Sequence, residues 1–341
     1  MTLDAGSRIF RARMYESETD AEAQGIPLDA AFKLLYGAPP SEEERVQMRK
    51  LIGNDGVRNL SQLRMVIMSR DRQSTPTRAI VRFGEADLRR IDIAGFRLVV
   101  DTADVAVSGP MLAQNAWEPH LSRVFHRYVA PGMRVADIGA NVGYYTMLAA
   151  KLVQENGLVF AFEPNSENCR LLLLSVSENS FGNVRIFPLA LAEAEGYAHF
   201  SSHLGSNGGF MQEAAALASG HGSIVPVARL DSLLTPPLDF LKMDVEGAEY
   251  RVLRGAQKLI SAARPIITSE FSCEMIGRIS QCSPRDFLQF FLRYGYTIHV
   301  IPRGDGRLEI VPDIDVFLRD WGDPGRIEDL LMLPQGAAVQ L

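Results

Sequence analysis

The sequence predicts a doubly wound, Rossmann-like α/β sheet with a small helical segment in front of it. Three observations carry that prediction. A short apolar run, Val135–Ile138, ends in Gly139-Ala140-Asn141-Val142-Gly143 and passes into Tyr145–Val153, where apolar residues recur at helical spacing. A second run, Leu158–Phe162, ends on Glu163, about 20 to 25 residues past the glycine turn, where a nucleoside-binding fold holds its ribose. From there to Ile301, strand-like and helix-like segments alternate, which demands a mostly parallel sheet covered on both faces.

Taken in order, residues 1–25 are polar and without periodicity, and three short helices follow: one from Leu28, one over Glu42–Ile52 capped by Ser41 with Glu44 as its capping-box partner, and one over Leu60–Ser69. The polar linker Asp71–Thr77 sets the boundary between a helical segment over 1–75 and a lead-in over 76–130. The lead-in holds strands at Ala79–Phe83, Leu88–Ile93 and Phe96–Val100, with Ala94-Gly95 as a hairpin turn, and a helix through Leu121–Tyr128 behind Trp117-Glu118. The main domain, 131–341, begins with the glycine-turn strand and continues through a helix from Pro164-Asn165 and a strand at Asn183–Leu189. Between Gly196 and Val227 the alternation breaks. Short strands there enclose Gly205-Ser206-Asn207-Gly208-Gly209, expected to be a flexible polar loop over the substrate. Strands at Phe240–Met243, Pro265–Phe271 and Tyr296–Ile301, with helices through Leu253 and over Pro284–Tyr294, complete the pattern.

Composition narrows the function. The chain has 341 residues, 47% of them apolar, and a net charge of −6 without a basic cluster, so no nucleic acid is expected as a partner. Three cysteines, Cys169, Cys273 and Cys282, lack metal-ligand spacing and point to a reducing cytoplasm. No apolar run is long enough to span a membrane, and the polar N-terminus does not read as a secretory signal. The N-terminal helices are a candidate surface for self-association or a protein partner.

The chemistry sits at strand ends. Asp137 ends the first strand, Glu163 the second, Asp244 and Glu246 follow the fourth, and Glu270 lies near the end of the fifth. A carboxylate before the first glycine suits a positively charged ligand better than a pyrophosphate, and the turn lacks the Gly-x-Gly-x-x-Gly spacing of dinucleotide sites. S-adenosylmethionine, with its sulfonium and ammonium groups, fits that sign. Asp244 is the first candidate for a base, followed by Glu246, Glu270 and His203 of the polar loop. Asp244 and Glu249 also have structural readings as helix-start acids. Lys242 is expected on the other face of its strand in a structural role. A divalent metal held by Asp244 and its neighbours is left open as an alternative, with no histidine or third acid to complete its set and no metal ligand assigned.

Four blocks in order, Val135–Gly143, Phe162–Asn165, Arg229–Leu233 and Leu241–Glu249, resemble the FkbM family of S-adenosylmethionine-dependent methyltransferases. The resemblance implies the seven-stranded methyltransferase sheet, S-adenosylmethionine as cofactor and methyl transfer, commonly to a hydroxyl of a sugar, glycolipid or polyketide. It assigns the methionine end of the cofactor to Asp137, Gly139, Asn141 and Gly143, and the ribose to Glu163. Ala140, Pro164, Asn165, Ala190 and Asp244 complete the expected cofactor-binding set. The acceptor is expected to be a small molecule or glycan. An NAD-dependent oxidoreductase on a related sheet and an inert cofactor-binding scaffold in glycan assembly are the alternatives.

Overall fold

The computed structural model describes residues 88–341 apart from 103, 105, 205, 206, 211–222, 305, 306, 324 and 338–341, together with Ser41, Glu42, Arg45, Val46 and Arg49. The chain divides into two compact units, Met1–Phe83 and Gly84–Leu341. In the first, Glu42, Arg45, Val46 and Arg49 are helical, and the Arg45 N–H donates to the Ser41 carbonyl at 2.9 Å. The expected helices from Leu28 and over Leu60–Ser69, the capping partner Glu44, the linker Asp71–Thr77 and the strand Ala79–Phe83 lie outside the described residues.

The second unit opens with a hairpin, β1 (Leu88–Ile93) and β2 (Phe96–Asp101). Ala94 and Gly95 turn it with φ of 51° and 77°, the paired left-handed conformation that matches the twist of a two-residue hairpin. Helices α1 (Ser108–Gln114) and α2 (Pro119–Tyr128) follow, the first of them absent from the sequence reading. Then come β3 (Arg134–Ile138), α3 (Tyr144–Val153), β4 (Leu158–Phe162), α4 (Ser166–Glu178) and β5 (Val184–Phe187).

Side chains of α4 hold the hairpin. Asn179, which ends α4, accepts from the Arg97 N–H at 2.8 Å and donates to the Arg97 carbonyl at 2.7 Å, and Ser175 accepts from the Val99 N–H at 2.9 Å. An exposed strand edge is thereby satisfied by a helix.

The short strands expected at Tyr197–Ser202 and Ser223–Val227 are present, and part of the loop expected between them, Asn207–Gly209, is strand as well. β6 (Ala190–Leu191), β7 (Gly196–Leu204), β8 (Asn207–Phe210) and β9 (Ser223–Ala228) make a separate four-stranded sheet in the order β6-β9-β7-β8. Alternate residues explain why: Phe200, Val225 and Val227 turn inward with Ala190 and Ala192, whereas Tyr197 and Ile224 face out. His203 therefore lies on a strand, in the stretch where the register between β7 and β8 shifts.

The remainder comprises α5 (Leu230–Leu233), β10 (Phe240–Met243), α6 (Glu249–Arg254), α7 (Gln257–Ala263), β11 (Ile266–Ser272), α8 (Cys273–Ile279), α9 (Pro284–Arg293), β12 (Tyr296–Ile301), β13 (Glu309–Ile310), α10 (Ile314–Arg319) and β14 (Ile327–Pro334). The main sheet runs β13-β12-β14-β11-β10-β3-β4-β5. It is mixed, with eight strands where the resemblance implies seven. β3, β4, β5, β10 and β11 are parallel, but β14 enters antiparallel between β11 and β12, and β13 adds a short antiparallel edge. β14 is missing from the sequence reading because Leu330–Leu333 is a continuous apolar run without alternation. All four are buried, Leu331 and Leu333 toward one layer, Leu330 and Met332 toward the other.

Alternation places the core. Val135, Val159, Ala161 and Phe240 pack on α3, α2 and the hairpin, while Ala136, Ile138, Phe160, Phe162, Leu241 and Met243 pack on α6, α7 and α9. Asp137 and Lys242, directly paired across β3 and β10, share the α3 side.

Candidate active site

The glycine turn between β3 and α3 is held shut by its own backbone. The Gly139 and Ala140 N–H groups both donate to the Phe162 carbonyl at 3.0 Å, Val142 donates to the Asn141 side chain at 2.7 Å, and Gly143 donates to the Ala140 carbonyl at 2.9 Å. These four amides are therefore engaged within the protein. Gly139, at φ 76°, has a different duty: a Cβ there would lie 1.9 Å from the Asp244 carbonyl oxygen. Its missing side chain lets the tip of β10 close on the tip of β3, and the Asp244 N–H completes that contact by donating to the Ile138 carbonyl at 3.1 Å.

Glu163 joins the two tips on the other side. One of its oxygens accepts from the Asn141 N–H at 2.8 Å and the other from the Asn165 N–H at 2.8 Å. Asn165 also caps α4, and the buried Asn168 adds a side-chain hydrogen bond to Glu163. Burial pushes the Glu163 carboxyl up to about 7, against the pull of these donors and of Lys242. Each oxygen accepts one backbone hydrogen bond, and lone pairs remain for a diol. Pro164 is half-buried beside them. Ala190 lies buried in the core of the second sheet.

Asp137 does not present a charge to a ligand surface. It is fully buried, one oxygen accepts from the Thr146 hydroxyl at 2.6 Å, and the other lies 3.5 Å from the Lys242 ammonium. Lys242 is corrected as well. Residues two apart on a strand share a face, so its ammonium reaches the same end as Asp244, at 3.4 Å, donates to the Gly139 carbonyl at 3.1 Å and sits 5.3 Å from the Tyr145 ring centre. Burial opposes its charge, but Asp244, Asp137 and Glu118 outweigh that cost and hold the ammonium above its ordinary range.

Beyond Asp244, which is partly open to solvent, the sheet edge carries a wall of acids. Glu270 on β11 is paired in register with Asp329 on β14, and burial, then Asp244, Glu246 and Glu249, push its carboxyl well above the usual range. Asp329 lies 2.7 Å from the His120 ring nitrogen of α2. Glu246 stands at φ 55° in the turn after β10, with Gly209 of β8 against it. Glu249 is buried and accepts from the Val245 and Gly247 N–H groups at 3.0 and 3.3 Å, so it builds that turn rather than facing the cleft. Glu118, just ahead of α2, accepts from the Tyr145 hydroxyl at 2.9 Å.

Glu118, His120, Tyr145 and Asp329 were not singled out by sequence reasoning. Glu118, His120 and Asp329 stand in segments far from the motif blocks, and only the sheet order brings them together. Among the described residues, no group of three or more His, Cys, Asp or Glu side chains has the geometry of a metal site.

An α/β methyltransferase-like fold with a mixed sheet, carrying an acid at the tip of its second parallel strand beside a glycine turn, defines the class. Residues 137–298, just under half of the chain, match the family model of the methyltransferase FkbM domain. That family implies S-adenosylmethionine as the cofactor. Among solved structures, it is similar to a methyltransferase FkbM from Methylobacillus flagellatus KT at 15% identity and a TM-score of 0.38, over 62% of this chain and 50% of that one. It is also similar to a SAM-dependent methyltransferase from Aquifex aeolicus, at 14% identity and 0.34 over 62% and 88% of the two chains. A precorrin-6y C5,15-methyltransferase from Geobacter metallireducens GS-15 matches at 12% and 0.36, over 63% and 87%. The match spans about half the length of the Methylobacillus protein. No curated protein matches.

Proposed function

We propose that this chain is an O-methyltransferase that moves a methyl group from S-adenosylmethionine to a hydroxyl of a sugar, glycan or related metabolite. The observation that carries the reading is Glu163. Within an FkbM domain, this acid closes β4, grips the Asn141 amide of the glycine turn and keeps lone pairs for a ribose diol. The segment Gly139-Ala140-Asn141-Val142-Gly143 would border the methionine end, and Pro164 and Asn165 the nucleoside. Asp137 contributes through Thr146 and Lys242, by fixing the turn.

When bound, the cofactor supplies an electrophilic methyl group. The chain must hold an acceptor oxygen in line with it and relieve that oxygen of its proton. Asp244 suits the holding role. It is partly open to solvent, stands against the turn and pairs with Lys242, and its oxygens can accept a hydrogen bond from the acceptor's hydroxyl. Glu270, held neutral by burial and neighbouring acids, offers a donor to a second hydroxyl. Glu246, in the turn after β10, would border the acceptor. Three free cysteines support a cytoplasmic setting, and among the described residues no helix is long and apolar enough to cross a membrane.

Calorimetry with S-adenosylmethionine and S-adenosylhomocysteine tests the cofactor. Saturable binding is expected, and folded protein that binds neither contradicts the reading. Mass spectrometry of a glycan pool incubated with labelled cofactor then tests the acceptor: label on oxygen is expected, and label found only on nitrogen or carbon overturns the O-methylation.

A further inference from the structure

We propose that Glu118 is the group that takes the acceptor's proton. This rests on the methyltransferase reading above and adds to it a residue that lies outside the matched family domain.

Three contacts fix Glu118 over the edge of the sheet. Phe125 of α2 packs between Tyr145 and Phe240, at ring-centre distances of 4.8 and 4.9 Å, so the helix sits across α3 and β10. His120, one residue into that helix from Pro119, ties it to Asp329 of β14 at 2.7 Å. The Tyr145 hydroxyl then donates to the Glu118 carboxylate at 2.9 Å. Tyr145 is the second residue of the helix that leaves the glycine turn, and its ring lies against Lys242, which holds Asp244. The carboxylate is thus aimed at the edge where Asp244 ends its strand.

The backbone adds a second observation. Glu118 has φ 37° and ψ 69°, left-handed, although it is neither glycine nor asparagine and is followed by Pro119, which favours extended geometry in the residue before it. Such a conformation is strained and persists where the surrounding structure over-determines it.

Its neighbours also fit it for proton transfer. Burial first, then Asp244 and Asp329, push the Glu118 carboxyl up to about 7, while the Tyr145 hydroxyl and Lys242 pull the other way. Tyr144, the remaining titratable group of α3 that feels Glu118, stays neutral because burial raises its phenol. A base poised near neutrality matches both protonation state and driving force. In the step, the acceptor's O–H proton passes to Glu118 as its oxygen bonds the methyl carbon. The sulfur–methyl bond breaks with its electron pair left on sulfur, and Glu118 then releases the proton to water.

Glu118→Gln keeps the hydrogen bond from Tyr145 and removes the base. Carbon-13 NMR of protein labelled at glutamate Cδ should show one carboxyl titrating near 7 that is missing from the variant. A Glu118 that titrates in the ordinary carboxylate range overturns the proposal. With labelled S-adenosylmethionine and a mixture of neutral methyl glycosides, the variant should lose about 100-fold or more in transfer rate. Its affinity for S-adenosylhomocysteine should stay within about twofold of the parent. The parent's rate should rise with pH through about 7, and the variant should lack that limb. A variant that keeps the limb, or a parent that binds S-adenosylhomocysteine but methylates no glycoside, overturns the assignment. Folded parent that binds no S-adenosylhomocysteine overturns the methyltransferase reading itself, and the proposal with it.

Discussion

The two halves of the proposed site, one assigned to the cofactor and one to the acceptor, are built in opposite ways. The cofactor half, Gly139 to Gly143 with Glu163, comes from adjacent strands of one β-α-β unit, and its members are joined through backbone groups: two amides of the turn on the Phe162 carbonyl, a third on Glu163. The acceptor half gathers Glu118, Asp244, Glu270 and Asp329 from four separated segments, joined through side chains: Tyr145 on Glu118, His120 on Asp329, Lys242 on Asp244. Backbone contacts tolerate little change of shape, because a turn either closes or does not. Side-chain contacts set charge and proton affinity, and these shift by degrees.

Lys242 is where the halves meet, within 3.5 Å of Asp137 and 3.4 Å of Asp244. The comparison therefore sharpens if changes on the backbone side prove all-or-none and those on the acid side graded.

Gly139→Ala is expected to have the largest effect. Its Cβ would meet the Asp244 carbonyl at 1.9 Å in a left-handed conformation, and the expected loss exceeds about 4 kcal/mol, read as absent or molten protein in thermal unfolding. A variant with near-parental Tm breaks the claim that the turn is closed by backbone contact.

Lys242→Met comes next. It leaves the buried Asp137 without its counter-charge, with an expected cost of about 3–5 kcal/mol in denaturant unfolding. Recovery of stability in the double variant Lys242→Met, Asp137→Asn would mark the pair as the source.

Glu163→Gln replaces one acceptor with a donor facing a backbone N–H. Affinity for S-adenosylhomocysteine is expected to fall about 10- to 100-fold by calorimetry, near 1.4–2.8 kcal/mol. Unchanged affinity would remove Glu163 from the cofactor half.

The pH dependence of stability gives the last test. Glu118, Glu163 and Glu249 are each raised to about 7 by burial, above the ordinary glutamate value of about 4.3. The folded state therefore binds more protons between those limits, and stability falls as pH rises from about 4.5 to 7. Melting temperature followed from pH 5 to 8 should decline, less steeply in Glu249→Gln. A rise over that window contradicts the burial-raised carboxyls.

How far the site can be read without coordinates follows the same division. Strands β3, β4, β10, β11 and β12 and the glycine turn are legible because each is a short apolar run bounded by Gly, Pro or an acid. In the second sheet β7 and β9 are legible, whereas β8 reads as a loop because Asn207-Gly208-Gly209 carries no apolar alternation. β14 is missed because an apolar run buried on both faces has no alternation, and with it goes Asp329. Lys242, expected on the other face of its strand, shares a face with Asp244 because the two stand two residues apart.

The sequence by itself determined the parallel β-α-β frame, the glycine turn and the acid that closes the second strand, since those depend on the conformational preferences of neighbouring residues. Only the tertiary structure decided that Asp137 is buried beneath Lys242 instead of lining the cleft, and that Glu118 and Asp329 stand near Asp244. Strand order and helix docking bring those charges together across some two hundred residues. Their proton affinities depend on burial and on one another, quantities that exist only once the chain has folded.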